Sequence, residues 1–324
     1  MTFRIPEPDL QIEFAAALAD ARGRYLQTAL SKTVRTLPIT QIDSELAQVV
    51  SGKSLAVLAS HGMRGELVFP VPLVLSANPM LLGYYRLLYG YSQKEFYGTR
   101  TGAGRFKSME EKGIISPLLS THLSDLCQAM CGAGSLLLAG IGATKLRVSL
   151  LDDLTLLTLG PQFRGGANVK RGVAGIRTVF NLIQEIVQSS IVSSSETMIE
   201  VAAAAGRHVF IEFAPDPDIV LRERMTSGNL RKVVAIEVKA GQDFSNIHNR
   251  IGEAEKSHQK AKLDGFSEFW TVVNVEKFDL ATARRESPTT NRFYRIADLA
   301  RGEGPDYQDF RERIISHTGI RDDP

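Results

Sequence analysis

The chain has 324 residues, 44% of them hydrophobic and 23% charged, with a formal net charge of +2. These values exclude disorder, collagen or coiled coil as the main architecture, and the length suits one large or two ordinary domains with a substantial core. Because acids and bases nearly cancel, a nucleic-acid partner would have to be met by local basic clusters and not by whole-chain attraction.

Residues 1–13 mix acids and prolines without a basic and then an apolar region, so no signal peptide is expected. Apolar and small residues then recur at helical spacing over 9–34 and again over 42–58, predicting two amphipathic helices. Pro70 and Pro72 make 69–72 extended. Asn78-Pro79 opens a helix over 80–89, with proline where its missing N–H is harmless. A further helix is predicted over 115–138. It carries both cysteines, Cys127 and Cys131, on one face as small core residues; with only His122 nearby, a zinc site lacks ligands. Two cysteines make no disulfide framework, and a reducing cytoplasm is the expected compartment. The most apolar stretch, 126–143, is interrupted by Gln128, Ser135 and glycines, so no membrane span is expected.

Near Lys145 the pattern changes. Residues 146–150 and 154–159 read as short strands, 160–172 as a loop, and 173–187 as an amphipathic helix ending in a serine cluster. Runs at 198–203 and 208–213 predict a hairpin, with further strands at 218–221, 233–238, 269–275 and 292–296 and a helix over 246–262. The expected fold class is therefore α/β (α+β): a mostly helical region, 1–144, followed by a core, 145–324, with a mixed central sheet flanked by helices.

Chemistry concentrates in that core. Pro217-Asp218 puts a carboxylate at the start of an apolar strand. Some twenty residues on, Glu237 and Lys239 share one face of a strand whose Ile236 and Val238 point into the core. Two converging carboxylates can hold Mg²⁺, with water and phosphate oxygens completing its shell, and a neighbouring ammonium can orient a nucleophile or neutralise phosphate. A solvated, charge-paired strand face has the same spacing. Strongly apolar alternate residues and the polar segment Ala240-Gly241-Gln242-Asp243 favour a site. Asp216 also follows a proline, but Asp218 is the better candidate, since Pro217 would interrupt a strand containing Asp216. No Gly-Lys-Ser/Thr phosphate loop, zinc-protease motif or nucleophile elbow occurs.

Pro-Asp followed by Glu-Val-Lys resembles the PD-(D/E)XK nuclease core. The longer string from Glu237 to His258 resembles restriction endonucleases, and more narrowly the XcyI family of type II enzymes. The run from Gly65 to Pro72, continuing through Asn78-Pro79 and Leu82 to Leu88 to Tyr97, is similar to such enzymes too. The resemblance implies a restriction-endonuclease-like core that hydrolyses double-stranded DNA at CCCGGG, after the first C, with Mg²⁺. It makes Asp218 and Glu237 metal ligands and Lys239 the catalytic lysine, gives the helical region a role in DNA binding and dimerisation, and implies an accompanying methyltransferase. Rival expectations are a structure-specific repair nuclease on the same core and a non-catalytic DNA-binding protein.

For holding DNA, Arg164, Asn168, Lys170 and Arg171 lie in a glycine-containing stretch without acids, suited to groove entry or phosphate clamping. His248 and Arg250 occupy the polar side of the helix after Lys239, where they could equally be ordinary partners of neighbouring glutamates. Glu185 is a possible further acid, but helical counting puts it on a solvent face. A palindromic duplex has two strands to cut, which predicts a two-fold homodimer.

Overall fold

A computed structural model describes residues 7–241, 246–275 and 279–321. The chain divides into two compact units, the first ending at Gly166 and the second beginning at Ala167.

The first unit is helical: α1 (Asp9–Arg24), α2 (Gln27–Arg35), α3 (Ile39–Val49), α4 (Gly52–Ser60), α5 (Pro72–Ala77), α6 (Leu82–Leu88), α7 (Gln93–Phe96), α8 (Lys107–Lys112), α9 (Pro117–Ser120), α10 (Leu123–Ile141) and the start of α11 (Val148–Ile186). Each of the first two predicted helices is in fact a pair. Fully buried Leu26 adopts an extended conformation between α1 and α2. Ser51 separates α3 from α4 by accepting the Ser54 N–H, the usual hydroxyl cap. Among the described residues α10 alone is long and apolar enough to cross a membrane. Its Cys127, Met130, Cys131 and Leu138 are instead packed in the core with Phe69, Val71 and Leu75.

One ion pair lies deep in this unit. Arg86 Nε and Nη2 donate to the two Glu110 oxygens at 2.8 and 2.6 Å, while Nη1 donates to the Tyr91 carbonyl. Gln93 and Tyr97 also donate to Glu110, and Gln162 of α11 accepts from Arg86. Burial pushes the Glu110 carboxyl up, but Arg86 and these donors outweigh it and hold the group below its ordinary value.

The expected strands at 146–150 and 154–159 and the loop 160–172 are absent; a single 39-residue helix, α11, replaces them. Leu151, Thr155 and Leu159 are buried at a spacing of four, so the leucine-rich run follows a helical period and not the alternation of a strand. Pro161 lies inside this helix. Losing one backbone hydrogen bond there is tolerated because tertiary burial resumes on both sides, at Leu159 and Ala167.

The second unit is built on a seven-stranded mixed sheet in sequential order: β1 (Ile191–Ser194), β2 (Met198–Ala202), β3 (His208–Phe213), β4 (Ile219–Arg224), β5 (Leu230–Lys239), β6 (Glu268–Val273) and β7 (Arg292–Arg295). β1 to β5 are antiparallel, and β6 and β7 add in parallel. The sheet is as expected, with β1 added from the serine cluster. Helices α12 (Ile247–Leu263), α13 (Leu280–Glu286), α14 (Ile296–Leu299) and α15 (Pro305–Thr318) complete the unit.

Strand alternation divides the core. Ile219, Leu221, Ile236, Val238, Trp270 and Val272 pack with Val179, Phe180 and Ile183 of α11 and with Phe310 and Ile314 of α15. Their neighbours Val220, Ala235 and Phe269 pack with Ala261 of α12. The face that carries Ala235 therefore also carries Glu237 and Lys239, and α12 is the helix set over it.

Candidate active site

Antiparallel pairing of β4 with β5 places Ile219 opposite Ile236. Asp218, one residue before β4, thus comes beside Glu237, one residue past Ile236, although nearly twenty residues separate them in the chain. Asp218 Oδ2 accepts the Val238 N–H at 2.8 Å, which locks the carboxylate against the neighbouring strand. Glu237 is buried, at 6% exposure, and receives the Lys239 ammonium at 2.6 Å. Asp218, Glu237 and Lys239 are gathered as the strand alternation predicts.

The electrostatics of this cluster are uneven. Burial, and then the charge on Glu237, push the Asp218 carboxyl up to about 6, against the pull of the Val238 N–H and Lys239. An acid raised by burial and a like charge is short of a cation. Among the described residues no group of three Asp, Glu, His or Cys side chains could hold a metal ion without other ligands. Two carboxylates are nevertheless a donor set of the hard-oxygen kind suited to Mg²⁺, which keeps several waters in its shell.

Asp216 joins the site as well. Its Oδ1 accepts from Ser257 Oγ, and its Oδ2 from Lys260 Nζ at 2.7 Å. Ser257 also reaches Glu237 Oε2 at 2.8 Å. The preference for Asp218 over Asp216 therefore has no geometric basis as an exclusion: the loop before β4 brings both acids to Glu237 by different routes. Lys260, with Ser257 behind it, holds the Asp216 carboxyl below its ordinary value.

Sequence reasoning named Arg250 of α12 as a DNA contact but missed what the rest of its helix face brings to the acids. Arg250, Glu253, Ser257 and Lys260 recur at intervals of three and four and share one helix face. Glu253 lies 3.9 Å from Lys239, and Ser257 and Lys260 make the contacts described above. Arg250 packs its guanidinium over Gly241, so closely that a Cβ on Gly241 would collide with it. Its Nη1 is buried without a hydrogen-bond partner among the described residues.

The remaining candidates scatter. Arg164, Asn168, Lys170 and Arg171 are all exposed, but on helix α11 and not on a flexible loop. Glu185 is exposed on the same helix and outside the cluster. His248 lies 2.7 Å from Glu286 of α13. Arg222 and Arg224 are paired with Glu212 and Glu200, while Glu223 binds Arg207 and Arg231. Gln242 and Asp243 lie outside the described residues. On the other face of the sheet, Gly175 of α11 lies against Ala240, immediately beyond Lys239, and a Cβ there would come within 2.2 Å of the Ala240 Cβ.

The XcyI restriction endonuclease family model matches residues 15–321. Over 317 residues the chain is 57% identical to the type II restriction enzyme Cfr9I of Citrobacter freundii, covering 97% of this chain and 96% of that protein. It is likewise 57% identical over 317 residues to the type II restriction enzyme XcyI of Xanthomonas campestris pv. cyanopsidis, covering 97% and 95%.

Proposed function

The chain belongs to the XcyI restriction endonuclease family, and on that premise we propose that it cuts double-stranded DNA at CCCGGG, after the first C, as a Mg²⁺-dependent homodimer. It is a type II restriction endonuclease, a site-specific hydrolase of phosphodiester bonds. The observation that carries the catalytic assignment is the juxtaposition of Asp218 and Glu237 on adjacent strands with Lys239 on the same sheet face.

Asp218 and Glu237 would hold the Mg²⁺, which when bound supplies a more acidic water and stabilises charge developing at phosphorus. Lys239 sits at the partly open edge of the pair, its side chain 19% exposed. An ammonium in that position is suited to orienting the attacking water and to neutralising the phosphate oxygens. The Asp218 carboxylate, disfavoured by burial and by the charge of Glu237, would gain from a neighbouring cation, which fits a role as ligand. Arg250 and the exposed row on α11 offer phosphate contacts, and Arg164 or Arg171 offers the guanidinium geometry that reads guanine O6 and N7. A palindromic target with one catalytic cluster per strand favours two-fold symmetry.

The test is digestion of phage DNA of known sequence with and without Mg²⁺, followed by mapping of the ends, with sedimentation of the protein on its site. Discrete fragments ending at CCCGGG, loss of cutting in Asp218→Ala and Lys239→Ala, and salt-sensitive binding retained by both variants are expected. Cutting confined to ends, flaps or junctions, a different sequence at the mapped ends, or full activity in either variant would sink the corresponding part of the proposal. A monomer that cuts both strands efficiently would remove the dimer.

A further inference from the structure

Ser257 is the most enclosed polar group of the cluster, at 4% exposure, and it touches two acids at once. Its Oγ is hydrogen-bonded to Asp216 Oδ1 and lies 2.8 Å from Glu237 Oε2. A hydroxyl has a single proton, so only one of two ionised carboxylates can receive it at a time. The other is left facing an oxygen lone pair unless positive charge offsets the repulsion. Each acid has such an offset on its far oxygen: Lys260 on Asp216 at 2.7 Å and Lys239 on Glu237 at 2.6 Å. The result is one continuous chain of contacts, Lys260–Asp216–Ser257–Glu237–Lys239, running from an exposed lysine on α12 to the buried carboxylate on β5.

We propose that Ser257 is a positioning residue of the metal site, fixing the carboxylate plane of Glu237 through its Oε2 while Asp216, clamped by Lys260, serves as the alternative acceptor for the hydroxyl proton. This rests on the reading of Asp218 and Glu237 as metal ligands. Without Ser257, Glu237 Oε2 has no donor among the described residues, and the carboxylate is free to rotate away from the geometry shared with Asp218. With Ser257, a cation that draws on the charge of Glu237 finds the ligand already oriented, and the proton has Asp216 to turn to. Partners that orient ligands in this way contribute about ten- to a hundredfold in metal affinity.

The experiment is calorimetric titration of the DNA-free full-length protein with Mn²⁺, run on wild type, Ser257→Ala, Ser257→Thr and Lys260→Met, beside cleavage measured against Mn²⁺ concentration. Ser257→Ala is expected to weaken Mn²⁺ binding about ten- to a hundredfold and to shift the cleavage midpoint by the same factor, so that excess metal restores most of the rate. Ser257→Thr keeps the hydroxyl and should stay close to wild type. Lys260→Met, at an exposed position, should show a smaller loss in the same direction and carries the test if Ser257→Ala does not fold. Unchanged Mn²⁺ affinity in both Ser257→Ala and Lys260→Met overturns the proposal, as does a loss that threonine fails to rescue. Glu237→Gln distinguishes the two levels: if it binds Mn²⁺ like wild type, the metal-ligand reading itself has failed, whereas loss in Glu237→Gln with none in Ser257→Ala removes only the role of Ser257.

Discussion

Two charge networks of the molecule are built to opposite rules. In the helical unit Arg86 and Glu110 meet through two parallel hydrogen bonds, and Tyr91, Gln93, Tyr97 and Gln162 occupy the donors and acceptors that remain. In the sheet unit Asp216, Asp218 and Glu237 crowd together around Lys239 and Lys260, with Ser257 shared between two of them. The first network holds its acid below the ordinary range, and the second raises one of its acids to about 6. A buried pair that satisfies itself has no remaining affinity for a visitor and serves the fold. Acids left short of positive charge cost stability, and in the function proposed above that shortage is what a cation would relieve.

That contrast is broken most forcefully in the helical unit. Arg86→Ala leaves Glu110 buried and uncompensated, and should cost about 3–5 kcal/mol of stability by denaturant titration. Cleavage per folded molecule should be unchanged. In the sheet unit the opposite weighting is expected: Lys239→Ala should lower kcat about a hundred- to a thousandfold, with a smaller loss of stability than Arg86→Ala, because Lys239 is partly exposed where Arg86 is fully buried. If the two variants exchanged these signatures, the division into structural and functional networks would be wrong.

Smaller effects sharpen the comparison. Gly175→Ala forces α11 away from Ala240 and should destabilise by about 1–3 kcal/mol, as over-packing does; a fall in kcat beyond that loss would show that α11 also sets the position of Lys239. His258 lies behind Ser257 with its Nε2 on Thr271. Burial, against the opposing pull of Glu255, lowers its imidazole to about 4 from an ordinary value of 6.5. The folded protein keeps it neutral while the unfolded chain takes a proton, so its contribution is complete above pH 6.5 and is lost as pH falls toward 4. The slope reaches at most about 1.4 kcal/mol per pH unit, and thermal unfolding of His258→Gln across that window should be flatter. Smallest of all, Arg250→Ala should weaken DNA binding evenly across sequences and reduce the slope of log affinity against log salt by about one. An unchanged slope would mean that Arg250 serves packing alone.

Strands are legible in this chain where alternation is strong. Residues 234–238 alternate between two packed faces, so Glu237 and Lys239 could be assigned to one side from sequence, and the distance along the chain to Asp218 fitted two neighbouring strands. Residues 148–172 were illegible for the converse reason: leucines, glycines and a proline that locally favour strand and loop are overruled by burial at a helical period. Ser257 was invisible because nothing about an isolated serine on a helix reveals which carboxylates stand opposite it.

What the sequence determined by itself is the chemistry: a pair of carboxylates and an ammonium set in apolar strands, and the family to which that pattern belongs. The tertiary structure alone decided the company those groups keep. Local periodicity fixes the face a side chain takes, but only the packing of α12 across β5 determines that Asp216, Glu253, Ser257 and Lys260 meet there, because contacts between elements depend on register and crossing and leave no trace in either element's own pattern.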